Sequence, residues 1–255
     1  MPWPWYLASR MEKDMEPIPD FQPLYKQVYA VLVRRIAEGA WGPSEVLPSE
    51  QALAAELNLS QGTVRKALDA LAAENLVQRH QGKGTFVSEH TQEHALFRFW
   101  RLARPNTDGE RVTPDSTEAR CKRRVATSAE VDKLHLSKGA LVVEIKRVRL
   151  IDDVPAVSEK IIVPLKLFPE IDHQDALPNT LYSLYQSVYG VNITVAKEEL
   201  RAVLANKSDE KELGVKPGTP LLRIDRVAIG IGGQRAEWRI SRCETRNVVY
   251  AIDVS

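Results

Sequence analysis

Between Phe21 and Asn75 the apolar residues recur at helical spacing. Leu24, Val28, Leu32 and Ile36 lie four apart and mark one buried stripe, closed by Gly39. Past Trp41-Gly42-Pro43, Ser49 is placed to cap a helix running through Leu53 to Leu57, which breaks at Asn58-Leu59. Ser60 is a second cap, and Val64, Leu68 and Leu71 line the inner face of the helix it starts. Two short helices joined by a turn of about three residues have helix-turn-helix spacing. Two β-prone runs follow, Leu76–His80 and Thr85–Val87, around the turn Gln81-Gly82-Lys83-Gly84. Helices followed by such a hairpin predict a winged helix-turn-helix.

From about Phe97 the period changes. Strand-type segments fall at Thr117–Ala126, Leu141–Ile151, Ala156–Val163, Ile193–Ala205, Leu221–Ile231 and Arg235–Ile252. Between them lie helical stretches at Ser128–Leu134, Thr180–Tyr189 and Ser208–Leu213, each opened by a Ser or Thr cap. Without regular βαβ alternation, this pattern predicts an antiparallel α+β unit. The expected organisation is a mobile tail over 1–20, a winged helix-turn-helix over 21–88, a polar linker over 89–95, and a second unit over 96–255. That last stretch is long enough to bury a core of its own.

Composition changes this picture little. Of 255 residues, 44% are hydrophobic and 27% charged, and 35 Lys+Arg against 34 Asp+Glu leave a formal charge of +1, which excludes a histone-like polycation. Recognition depends on where charge sits. Residues 21–90 carry seven cations and seven anions, yet Ser60–Gly84 holds Arg65, Lys66, Arg79 and Lys83 against Asp69 and Glu74, a local +2. Cys121 and Cys243 lack CxxC spacing and read as half-buried thiols, neither a disulfide framework nor a zinc site. No apolar run reaches the roughly 18 residues that span a bilayer. The opening Met1–Asp20 does not have signal-peptide form, so a soluble cytoplasmic protein is expected, with no membrane partner. His80, His90, His94, His135 and His173 show no metal-ligand spacing, and neither a GxSxG elbow nor a phosphate-binding loop occurs. No catalytic residue, metal or cofactor is therefore expected.

A helix entering a major groove needs small or hydrogen-bonding residues in its first turn, flanked by cations for phosphate. The candidate recognition helix supplies Ser60, Gln61, Gly62, Thr63, Arg65 and Lys66. Ser60 and Thr63 suit phosphate oxygens at a helix N-terminus, Gln61 a base edge, and Arg65 a guanine or a phosphate. Gly62 allows close backbone approach. At the wing tip, Gln81, Gly82 and Lys83 carry little bulk and can enter a minor groove. The bland alternative is a winged helix used as a protein-interaction module.

These residues resemble a known family. Leu47-Pro48-Ser49-Glu50-Gln51-Ala52-Leu53-Ala54, Ser60-Gln61-Gly62-Thr63-Val64-Arg65-Lys66-Ala67-Leu68 and Gln81-Gly82-Lys83-Gly84-Thr85-Phe86-Val87 are similar to the DNA-binding domain of GntR-family transcriptional regulators, over roughly residues 22–88. The remainder resembles the UTRA effector-binding domain of the HutC-type subfamily, whose fold is that of chorismate lyase. Arg147-Val148-Arg149, Val154-Pro155 with Glu159, Thr180-Leu181-Tyr182 and Lys216-Pro217-Gly218-Thr219-Pro220-Leu221-Leu222 carry that likeness. The family often has Arg where this chain has Gln51 and Gln61, so a different operator preference is implied. Many members also have a Gly-Asp-Arg-Tyr-like segment where Cys243-Glu244-Thr245-Arg246-Asn247 stands here.

Parity locates candidate effector contacts. Leu141, Val143, Ile145, Arg147, Arg149 and Ile151 share one strand face, so two arginines stand among apolar residues and each needs an anion. A three-residue loop Asp152-Asp153-Val154 sets Glu159 opposite Arg147, and a two-residue loop Asp152-Asp153 does not. One glutamate cannot neutralise two arginines. Either Arg147 pairs with Glu159 while Arg149 is exposed or paired elsewhere, or the arginines await an anionic ligand while Glu159 takes a ligand hydroxyl. Thr180, a helix N-cap, and Tyr182 are further contacts, and Glu237 is a lesser one because Trp238 and Ile240 make the opposite face look like the inner one. The expected protein is a homodimeric regulator, a repressor of a pseudo-palindromic operator in double-stranded DNA, released by a small anionic metabolite. The alternatives are a regulator that senses nothing and a lyase-like enzyme.

Overall fold

The computed structural model describes residues 22–89, 99–107 and 110–252. The expected tail over 1–20 and all of the 89–95 linker except Glu89 lie outside them.

Helix α1 spans Leu24–Ala37, α2 Glu50–Leu57 and α3 Gln61–Ala73. Val28, Leu32 and Ile36 bury their stripe as expected, but Leu24, in the first turn, is 52% exposed. Ser49 Oγ accepts from the Ala52 N–H at 3.1 Å, and Ser60 Oγ from the Thr63 N–H at 3.2 Å, so each hydroxyl satisfies an orphan helix donor. Asn58 ends α2 in the left-handed region. Leu32, Leu53, Leu68 and Leu71 are completely buried, each stabilising the core by roughly 1.5–3 kcal/mol. Strands β1 (Val77–His80) and β2 (Gly84–Val87) form the wing, with His80 opposite Gly84. Gly84 has φ +119°, and a Cβ there would stand 3.1 Å from Val46 Cγ2. Gly84→Ala should therefore cost about 1–3 kcal/mol, read as an earlier melt of the full chain. An unchanged melt would show that the turn relaxes.

The remaining residues build one antiparallel sheet in the order β4-β6-β7-β10-β9-β8, with β5 also on β6. The strands are β4 (Asp115–Ser116), β5 (Arg120–Val125), β6 (Leu141–Ile151), β7 (Val154–Pro164), β8 (Ile193–Leu204), β9 (Pro220–Gly230) and β10 (Arg235–Cys243). A small pair, β3 (Leu102–Ala103) with β11 (Val249–Tyr250), lies beside it. The strand expected over Arg235–Ile252 thus ends at Cys243, and its last part pairs elsewhere. Helix α4 (Ser128–Leu134) covers one sheet face, packing Leu134 on Val142, Ile162, Val227 and Trp238. Helix α6 (Lys207–Leu213) shields the far end of that face through Leu213, Val215 and Leu221. Helix α5 (Leu181–Tyr189) covers the other face with Phe168 and Ile171 against Val143, Ile145, Ile161 and Val163.

Three local expectations are corrected. The cap of α4 is Thr127 and that of α6 is Asn206, each in a capping box, instead of Ser128 and Ser208. Cys243 is fully buried rather than half-buried. Glu237 lies on a covered face and is fully buried, because both faces of β10 are roofed by helices and parity alone could not name an inner one. The β6–β7 hairpin meets both loop alternatives at once. Asp152 and Asp153 form a two-residue turn at positive φ, while an extra residue at Ala156 shifts the ladder, so Glu159 still lies opposite Arg147.

Candidate DNA face and effector cleft

On the N-terminal unit Gln51, Ser60, Gln61, Gly62, Arg65 and Lys66 are exposed and Thr63 is half-buried, along one side that continues to exposed Gln81, Gly82 and Lys83. The Ser60 and Thr63 hydroxyls also bond each other at 2.8 Å. Lys66 is turned toward α1, its Nζ 4.4 Å above the Tyr25 ring. Sequence reasoning passed over Glu50. Its carboxylate accepts from Arg65 Nε at 2.9 Å and Gln61 Nε2 at 3.4 Å, and pairs with Arg79 at 3.2 Å. Arg79 also pairs with Asp69 at 3.1 Å. Glu50 opens α2, eleven residues before the start of α3, so only the crossing of the helices brings it under Arg65. Such exposed pairs are worth about 0–1 kcal/mol, so Arg65 can exchange Glu50 for a base or phosphate at little cost.

In the C-terminal unit, Arg147 and Arg149 of β6 open on a small cleft whose wall also includes Thr180, Tyr182, Arg226 and Arg239. Arg147 Nε donates to Glu159 at 2.8 Å, and Arg239 NH1 donates to the other Glu159 oxygen at 3.1 Å. Arg239 also forks onto Glu237, with both bonds at 2.9 Å, while the Tyr185 and Tyr182 hydroxyls donate to the same carboxylate. Arg226 is bonded to Glu198 and to the Phe99 carbonyl. Four arginines thus meet three carboxylates, and Arg149 is the one without such a partner among the described residues.

Arg149 is 2% exposed, donates to the Asn179 carbonyl at 2.7 Å, and leaves its Nε–H unpartnered. Its guanidinium lies 5.4 Å from the Trp100 ring. Burial above all, joined by repulsion from Arg147 and Arg239 and opposed by the pull of Glu159 and Asp115, pushes its pKa down. Beside it, Thr180 is 8% exposed at the N-cap of α5, yet its hydroxyl caps nothing and has no partner. An uncompensated cation, an idle hydroxyl and the free N–H groups of a helix start converge on one cleft. That set of donors suits an anion.

Glu159 and Glu237 do not line the cleft; they stand behind Arg147 and Arg239 with their oxygens engaged. The expected hydroxyl contact of Glu159 is therefore replaced by a structural ion pair. Burial alone would raise its carboxyl, but Arg239, Arg147 and Arg149 outweigh that and hold it well below the usual range. Tyr182 lines the cleft with its ring, its hydroxyl being committed to Glu237. Cys243 lies in another cluster, with Leu102 and Val157. Arg226, Arg239, Phe99 and Trp100 were missed. Arg226 and Arg239 face each other across β9 and β10, a register that spacing within either strand does not reveal.

Comparison with known proteins gives a consistent result. Residues 24–87 match the family described as bacterial regulatory proteins, gntR family, and residues 110–248 match the UTRA domain. The chain is 31% identical over 214 residues to the transcriptional repressor NagR of Bacillus subtilis, covering 80% of this chain and 84% of that protein. It is 30% identical over 209 residues to the histidine utilization repressor of Pseudomonas aeruginosa, covering 80% of each. Among solved structures, the ligand-binding domain of a Bordetella bronchiseptica regulator classed with the GntR family aligns with TM-score 0.56 and 31% identity. It covers 62% of this chain and 98% of that one. PhnF of Mycobacterium smegmatis, at 20% identity and TM-score 0.54 over 89% of this chain and 99% of its own, shares the fold.

Proposed function

The chain belongs to the GntR family of bacterial regulatory proteins, in its HutC-type branch with a UTRA domain, and from that premise we propose that this DNA-binding transcriptional regulator is a cytoplasmic homodimeric repressor of a pseudo-palindromic operator, released by a small anionic metabolite. It is a regulator and not an enzyme, as are its relatives. Residues 21–88 read DNA through Gln51, Ser60, Gln61, Gly62, Thr63, Arg65 and Lys66, with Gln81, Gly82 and Lys83 at the wing. Residues 96–255 hold the effector against Arg149, Arg147, Arg226 and Thr180.

The carrying observation is Arg149, buried without a carboxylate beside the idle Thr180 hydroxyl. Two contacts lead from that cleft toward the reading head, one at its last residue, Ser88, and one at Phe99 of the second unit. Arg226 in its wall holds the Phe99 carbonyl, and Gln186 of α5 donates to the Ser88 carbonyl at 2.9 Å, at the end of the wing strand. An anion drawn onto Arg226 and the start of α5 bears on both.

A thermal-shift titration with small carboxylates and phosphate esters tests the cleft. An anion at 100 times its dissociation constant adds about 2.7 kcal/mol of stability, and its neutral analogue adds none. Equal shifts from both would remove the anion reading. For the head, Arg65→Ala and Lys83→Ala should each weaken operator binding and lower the slope of log affinity against log salt by about 1 for each phosphate no longer neutralised. Retention of both affinity and slope in the two variants would displace the assigned face.

A further inference from the structure

We infer that the edge strand β8 is where two copies of this chain join, by antiparallel pairing centred on Leu200. The inference rests on the homodimer proposed above and assigns its contact. Strand β8 pairs with β9 on one side, and no described strand pairs its other side. Twelve residues long, about 40 Å, it offers a row of backbone donors and acceptors to any strand that can approach. Natural edges are guarded by charged side chains, by proline, by bulges or by brevity. The opposite margin of the sheet is guarded in that way. Strand β4 has two residues, and β5 carries Arg120, Lys122, Arg123 and Arg124, of which Arg123 is held by Glu170 and Asp172 and Arg124 by Glu130 and Glu144.

From Ala202 onward strand β8 carries no charge, proline or bulge. Leu200, Ala202 and Leu204 share one face and are exposed, Leu200 at 44% and Leu204 at 67%. Its charges are of both signs and self-complementary. About a two-fold axis through Leu200, Glu199 of each copy lies opposite Arg201 of the other, Leu200 meets Leu200, and Leu204 meets Ala196. Centring on Glu199 instead would set Lys197 against Arg201. Within one chain Glu199 and Arg201 already bond at 3.0 Å along the strand, so both are oriented on one face.

The same strand carries Glu198, which bonds Arg226 of the cleft wall and the Tyr250 hydroxyl. The join between copies therefore lies one ion pair from the effector cleft.

The test is a charge swap read by light scattering on the full chain at micromolar concentration. Wild type should run at twice the 28.7 kDa chain mass. Glu199→Arg, which sets two guanidinium pairs against each other, should dissociate at least tenfold more readily and approach the single-chain mass. Glu199→Arg combined with Arg201→Glu should recover the dimer. Melting curves show that each variant is folded. If Glu199→Arg is not, Leu200→Arg, at an exposed position, replaces it with the same expectation. A wild-type dimer indifferent to these changes, or a double variant that stays monomeric, overturns this edge while leaving the homodimer reading in place. A wild type that is monomeric both free and on operator DNA overturns both.

Discussion

Arg149→Met loses the response to the effector and keeps the operator. The guanidinium touches nothing in the N-terminal unit, so DNA affinity in the absence of effector should stay within twofold of wild type. Truncating one side of a desolvated, charge-assisted contact costs about 2–5 kcal/mol, so effector affinity should fall between roughly 30-fold and several thousandfold. The coupling that links effector to operator, typically about 1–3 kcal/mol and hence 5- to 150-fold in affinity, then has nothing to act through. The unliganded variant should be no less stable than wild type, because removing a buried cation without a carboxylate partner also removes its desolvation cost.

Fluorescence anisotropy on operator DNA, with and without effector, and unfolding curves of the free proteins check this. A variant released as readily as wild type would make the arginine structural.

Glu159→Gln, behind the cleft wall, should be strongly destabilising. Arg147 and Arg239 share that carboxylate, so the amide leaves two buried cations short of a counter-charge. Breaking a buried pair in this way costs about 3–5 kcal/mol, which for a unit of this size lowers the melting temperature on the order of 10 °C. The pH dependence has a fixed sign. The folded carboxyl lies below the usual value of about 4.3, so its stabilisation is complete above that value and is lost as pH falls toward the folded value in strong acid. The gap between wild type and variant in urea should accordingly be widest at neutral pH and shrink below pH 4. A constant gap would mean that packing rather than charge is lost.

Much of this was legible in the chain. The caps Ser49 and Ser60, the stripe Val28-Leu32-Ile36 and the Gly-Lys-Gly wing act within one turn or one hairpin, where spacing and geometry are the same thing. Strand β6 falls where alternation put it, at Leu141–Ile151, and parity placed Arg147 and Arg149 on a common buried face. The limit showed at Glu237 and at the β6–β7 turn. A strand roofed on both sides has no polar face to reveal which way is in, and one extra residue at Ala156 reverses the parity that a loop length implies.

The sequence by itself determined the two kinds of element, the exposed polar first turn of α3 and the presence of buried arginines, because helix and strand periods are local. Only the tertiary structure decided which arginine lacks a counter-charge. Glu159 comes from the neighbouring strand, Glu237 from the one beyond it and Glu198 from the sheet's edge, so the charge balance of the cleft is a property of strand order and register. No spacing along the chain contains that order, since pairing energies between distant strands are settled by the burial of the whole sheet.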